Sequence, residues 1–164
     1  RVFAFSDPES NSGFLYPQFL LAENGRTIES FFRQTFFTYN HAETIEAVAE
    51  QVADGAAVDS YIWDYLAIYR PDVTAKTRVI KKSPAFGFPP IVSRRGVNPK
   101  IVRHMKSVLL EMSKEPSGKA FLDGLMLDRF GEFQPDLFDN IREMANETRM
   151  SLFWHASNNT EAGK

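Results

Sequence analysis

The chain has 164 residues, 43% of them hydrophobic, and a formal charge of -2 from 19 basic and 21 acidic side chains. That content can bury one sizeable core, and the interspersed charges give no basic field for a nucleic-acid backbone, so nucleic acid is excluded as an expected partner. Cysteine is absent, which excludes a disulfide framework and thiolate chemistry and leaves the redox compartment open. No apolar run reaches the ~20 residues of a membrane span, and no basic-then-apolar leader opens the chain. The first residue is Arg1, so a leader or upstream domain is expected to lie outside this sequence.

In chain order, Val2 to Phe5 reads as a buried strand that feeds into DPESNSGFLYP, Asp7 to Pro17. This is a helix start suited to an anion. Ser10 and Ser12 offer hydroxyl donors, Gly13 lets a ligand approach the backbone, and the first helical N–H groups have no partner within the helix. The plainer alternative is an N-cap ahead of an amphipathic helix. The helix is expected over Ser12 to Ala22, stopped by Asn24-Gly25. Fifteen phenylalanines are many for this length, and the run SFFRQTFFTY, Ser30 to Tyr39, is expected to be buried. Ile45, Val48, Ala49 and Val52 then share one face of a helix from His41 to Ala53, closed by Asp54-Gly55.

Ala56 to Ser60 reads as a short strand, and Tyr61 to Ile68 as a helix that stops at Arg70-Pro71. Arg78 to Lys82 and Ile91 to Arg94 read as two more strands, joined by the rigid link SPAFGFPP. Helices follow. Asn98-Pro99 is a cap with a first-turn proline, ahead of an apolar stripe of Ile101, Val102, Met105, Val108, Leu109 and Met112. Ser117 to Leu127 and Pro135 to Glu147 read as two further helices, and the tail from Ser157 as frayed. No internal repeat is present.

Three motifs recur here in one order: SxSGxxxP after a strand, a histidine opening a helix that ends in ADGAAVDS, and KSP with PPIVSRRGVNP. In this the chain resembles, from Phe3 to Met144, the phosphate/phosphite/phosphonate substrate-binding proteins of ABC transporters, of the PhnD-like type. The resemblance implies an α/β, periplasmic-binding-protein-like (type II) lobe with a C-terminal helical segment, partial relative to the two-lobed family. It divides the chain into an anion-binding lobe (1–84), a hinge and crossover strand (85–94), a helical segment (95–150) and a tail (151–164).

The implied function is binding without chemistry, with no cofactor and no metal, outside the cytoplasm and in most relatives in the periplasm. The implied partners are a small oxyanion (phosphonate, phosphite or phosphate) and the importer's membrane subunits. Carried over by position, Ser10, Asn11, Ser12 and Gly13 form the phosphoryl-binding helix start, and His41 matches the ligand-contacting histidine. Such a histidine would be neutral without ligand and gain proton affinity beside a dianion. Asp59 and Tyr61 fall where the family lines its cleft, although Asp59 equally suits a helix cap.

Two departures stand out. Phe86, Phe88 and Pro89 occupy the place of an acidic residue that receives a substrate amine in some phosphonate binders, which speaks against aminophosphonates. The family's N-terminal lobe segment has no counterpart before Val2. The stripe from Ile101 to Met112 is therefore expected to fold back on the sheet, or to pair with a second copy as a homodimer or swapped assembly. Two other function classes stay open. The same fold serves as the extracytoplasmic sensing domain of membrane signalling proteins. An enzyme using His41, Asp59 and a serine is the weakest option, since there is no GxSxG elbow and no metal-spaced histidine pair.

Overall fold

The computed structural model describes residues 1–149. The chain divides into two units, Arg1–Ala85 together with the residues from Asp139 on, and Phe86–Phe138. The expected frayed tail lies outside the described residues.

The first unit is built on a three-stranded parallel sheet with β1 (Val2–Phe5) between β2 (Gln34–Phe37) and β3 (Gly55–Ala57). Phe5 pairs with Phe37 on one side and with Ala57 on the other, so all three strands end level. Alternation along β1 sends Phe3 and Phe5 to one face and Ala4 to the other. The phenylalanines form an aromatic layer. Phe5, 1% exposed, meets Phe14 edge-on at 5.1 Å, and Phe3 stacks on Phe32 at 4.4 Å.

Helix α1 opens with a wide π turn (Asn11–Leu15) and continues as α-helix Tyr16–Glu23, and the short α2 (Ile28–Phe31) leads into β2. β2 lies inside the phenylalanine-rich run. That run is only half-buried, because a strand at the sheet edge turns one side of the run toward water, and Phe31 and Tyr39 are exposed. Helix α3 (His41–Ala49) returns the chain across β1 to β3. Its cap is Asn40, whose Oδ1 accepts the amides of Ala42 and Glu43. Beneath the cap, Thr44 is fully buried and its hydroxyl donates to Asn40 O at 2.8 Å.

Helix α3 ends earlier than the apolar spacing suggested. Gln51 takes a φ of 63°, which turns the chain and leaves Val52 exposed instead of on the core face. Ile45 packs with Leu66 of α4 (Ser60–Tyr69) and Val73 of α5 (Pro71–Thr74), and Ala49, Ile62 and Trp63 surround them.

The two strands expected at Arg78 to Lys82 and Ile91 to Arg94 are not formed; both stretches lack ladder bonding, and Ile80 and Val92 are about 80% exposed (81% and 80%). β-branched residues become strands only where a neighbour supplies backbone partners, and the described sheet stops at three strands. The last described helix runs over 139–149, after a 3₁₀ turn at Pro135–Phe138, and buries Met144 and Thr148 within the first unit.

The second unit carries α6 (Pro99–Glu111), a 3₁₀ turn (Met112–Lys114) and α7 (Pro116–Gly124). Gly118 lets the α7 backbone close on the turn, where a Cβ would meet Met112 O at 2.1 Å. On the α6 stripe Ile101 and Met105 are more than half exposed (56% and 52%).

One contact ties α1 to β1. A Cβ on buried Gly13 would stand 2.5 Å from Ser6 Oγ and 2.7 Å from Ser6 Cβ. Ser6 is itself buried and has no room to move. Gly13→Ala should therefore destabilise the fold by about 1–3 kcal/mol, outweighing the helix-propensity gain of up to ~1 kcal/mol. Adding Ser6→Gly to that variant should recover part of the loss. Urea midpoints of the three chains check both statements.

Candidate anion-binding site

The sheet order places a site by topology. The chain leaves β1 for β2 on one side and reaches β3 on the other, so β1 is a switch point, and the crevice beyond the carboxyl ends of parallel strands is where such sheets bind ligands. Three loops converge there: Ser6–Ser10 after β1, Thr38–Asn40 after β2, and Val58–Asp59 after β3.

The first loop builds the helix start. Asp7 closes a turn by accepting Ser10 N–H at 3.0 Å, and its Oδ1 accepts Glu9 N–H at 2.7 Å. Ser10 is the cap, with Oγ accepting Gly13 N–H at 3.0 Å. Ser10 O then receives both Phe14 N–H and Leu15 N–H, which widens the first turn. The amides of Asn11 and Ser12 stand ahead of these first ladder bonds, among the groups a helix cannot satisfy internally. Asn11 Oδ1 is buried without a hydrogen-bond partner among the described residues.

Gly13 has a different task from the one expected. The space of its missing side chain is filled by Ser6, and its amide is used by the cap, so neither is left for ligand.

His41, at the first turn of α3, is brought to this helix start by Ser6, which sequence reasoning missed. Ser6 Oγ lies 2.8 Å from His41 Nδ1 and 3.0 Å from Ala57 O. His41 Nδ1 also accepts the main-chain N–H of Asp59 at 3.0 Å, while Nε2 faces Ser10 Oγ at 3.5 Å. The signal for Ser6 was available: it continues the buried phase of Ala4 two residues on. Asp59 divides its roles, its carboxylate capping α4 by accepting Tyr61 N–H at 2.8 Å and its amide facing the imidazole. The structure thus brings Ser10, His41 and the Asp59 backbone together, with Asn11 and Ser12 beside them. Tyr61 is tied in through its amide. Two surface depressions, one lined by Glu46, Glu50 and Arg70 and one by Ile28, Phe32 and Arg33, involve none of these residues.

Burial holds the His41 pKa below histidine's ordinary 6.5, against the opposing pull of the Asp59 and Asp7 carboxylates. The folded chain therefore favours the neutral ring, and below about 6.5 the unfolded chain binds the extra proton. Stability from this ring is complete above that value and is lost as pH falls toward the lower folded-state value. Urea midpoints recorded between about pH 7 and pH 5 should fall on acidification, and His41→Gln should flatten that part of the profile.

Comparison with known proteins bears on the family and the fold. Residues 1–138 match the family described as "ABC transporter, phosphonate, periplasmic substrate-binding protein". The phosphonates-binding periplasmic protein of Escherichia coli is 29% identical over 124 residues, covering 76% of this chain and 36% of that protein. A binding protein component of an ABC phosphonate transporter from Pseudomonas aeruginosa superposes with a TM-score of 0.85 at 23% identity, covering 92% of this chain and 50% of that one. PhnD1 from Prochlorococcus marinus, solved in complex with methylphosphonate, gives 0.75 at 24% identity, covering 90% of this chain and 56% of that one. The chain thus spans about a third to just over half of these relatives, and the partial α/β periplasmic-binding-protein fold expected from the sequence is the one they share. The chain belongs to the family of periplasmic substrate-binding proteins of phosphonate ABC transporters.

Proposed function

We propose that this chain is the anion-holding part of an ABC importer's substrate-binding protein, working outside the cytoplasm, and that it takes a small phosphorus oxyanion without transforming it. The observation that carries this reading is the convergence of His41 Nε2 and the Ser10 cap at a helix start whose first amides precede the ladder bonds. An oxyanion there would accept from the Asn11 and Ser12 amides, from the Ser10 and Ser12 hydroxyls, and from Nε2. Helix-terminal amides and hydroxyls match the tetrahedral oxygens of a phosphonyl group and need no counter-ion. The solved relative that holds methylphosphonate supports phosphonate as the first ligand to try, with phosphite and phosphate next. Delivery to importer membrane subunits follows from family membership. The family's role is binding, and the hold of Ser6 and Asp59 on His41 Nδ1 supports a positioning role for the ring.

Ser10, Ser12 and His41 are only half-buried, so an anion on this ledge keeps part of its water. Its dissociation constant should lie near ~1 mM, about -4 kcal/mol. Thermal-shift titration of the 164-residue chain with methylphosphonate, phosphite, phosphate and sulfate should give a saturable rise with a phosphorus oxyanion. Ser12→Ala should weaken it roughly tenfold, and His41→Ala should do the same or more. Equal responses to all four anions that survive both substitutions would remove this reading.

A further inference from the structure

Two donors face one lone pair. His41 Nδ1 faces the Asp59 amide at 3.0 Å and Ser6 Oγ at 2.8 Å, and Ser6 Oγ has a second acceptor in Ala57 O at 3.0 Å. The two donors differ in freedom. A hydroxyl hydrogen rotates about its C–O bond, and Ser6 can aim it at either partner. The Asp59 amide hydrogen is fixed by the peptide plane and points at Nδ1.

A hydrogen on Nδ1 would therefore meet another hydrogen. It could donate to Ser6, which could pass its own to Ala57, but the Asp59 N–H would then be left facing a donor. An unmade hydrogen bond of this kind costs about 1–3 kcal/mol. With the hydrogen on Nε2 instead, every donor around Nδ1 has an acceptor. Nε2–H then faces Ser10 Oγ at 3.5 Å, too far for a proper bond, and that oxygen already accepts Gly13 N–H. The hydrogen is available to something else.

We propose that the main-chain N–H of Asp59, with Ser6 beside it, fixes His41 in the neutral form protonated on Nε2 and makes it an uncharged donor aimed at the anion. This deepens the binding reading and rests on it for the identity of what Nε2 serves. It also replaces the expectation that His41 gains a proton with the ligand, because imidazolium formation would break the Asp59 bond. The charged groups facing the ring are the Asp59 and Asp7 carboxylates, which favour protonation, so the amide acts against them. Ser6 and the Asp59 amide are positioning groups; His41 is the one that would touch ligand.

The test reads the ring directly. Long-range proton–nitrogen correlation spectra of the isotope-labelled 164-residue chain should show His41 at neutral pH with hydrogen on Nε2 alone. Hydrogen on Nδ1, or averaging between the two forms, would overturn the proposal. Two substitutions separate the amide from the carboxylate. Asp59→Ala keeps the N–H and should keep the Nε2 form. Asp59→Pro removes the N–H at a φ of -71°, which proline accepts, and should let Nδ1 take the hydrogen and bond Ser6. Both chains lose the same cap, so folding defects common to them cancel, and identical ring spectra would overturn the role of the amide. The spectra need no anion, so this result can fail while binding stands. Methylphosphonate titration of the same chains reads binding separately.

Discussion

Ser6 stands just past the carboxyl end of the central strand, and its hydroxyl bonds to groups that follow β2 and close β3. It reaches His41, the first residue of the helix that follows β2, and the carbonyl of Ala57 at the end of β3. The same side chain fills the space beside Gly13 and so sets how closely α1 approaches the sheet. A small buried hydroxyl can do this where a larger or apolar group cannot, because it must fit under a helix and satisfy polar partners at once. The helix start, the imidazole and the close of β3 all meet at that side chain. In a parallel sheet the strand ends are where loops diverge, so an interaction that holds three of them in register also creates the site.

The local pieces were legible in the sequence to the extent that they are local. The β1 run, the stop before Asn24-Gly25, the α4 helix ending ahead of Pro71 and the proline start of α6 are each written in a few adjacent residues. So was the capped helix start, through Ser10. The end of α3 was less legible, because Val52 fits the apolar spacing and only the left-handed turn at Gln51 removes it from the face. Ser6 was missed because its importance comes from residues 35 and 51 positions away. Gly13 was noticed for a plausible reason, yet its missing side chain turns out to serve packing.

The segments around Val79 and Val92 show the opposite failure. Each carries a β-branched pair, Val79-Ile80 and Ile91-Val92, of the kind favoured in strands. In the described residues they are exposed and without ladder partners. Strand character in such a sequence is a statement about a neighbour, and the neighbour is a non-local fact. The α6 stripe makes the same point with a helix, since its spacing states that a face is to be covered and leaves open by what. These features fit a chain that spans about half of its solved relatives.

In the proposed anion site, the charge state of His41 would decide what kind of ligand contact is made. A site that uses fixed cations gains affinity from Coulomb attraction and loses it as salt rises. A site built from amides, hydroxyls and a neutral imidazole gains most of its affinity from hydrogen-bond geometry, which salt screens far less. Asp7 and Asp59, both close enough to His41 to influence it, would repel a bare dianion and tolerate a ligand that brings a hydrogen of its own. Discrimination then rests on how many oxygens meet a donor and whether the ligand can offer one back, as with the buried Asn11 Oδ1 that lacks a partner. Phosphorus oxyanions near neutral pH carry both oxygens that accept and, in their monoprotonated forms, a hydroxyl that donates. Sulfate carries only acceptors. Under the proposed reading, the neutral histidine and the nearby carboxylates would act in the same direction, toward recognition by the pattern of donors and acceptors instead of by net charge.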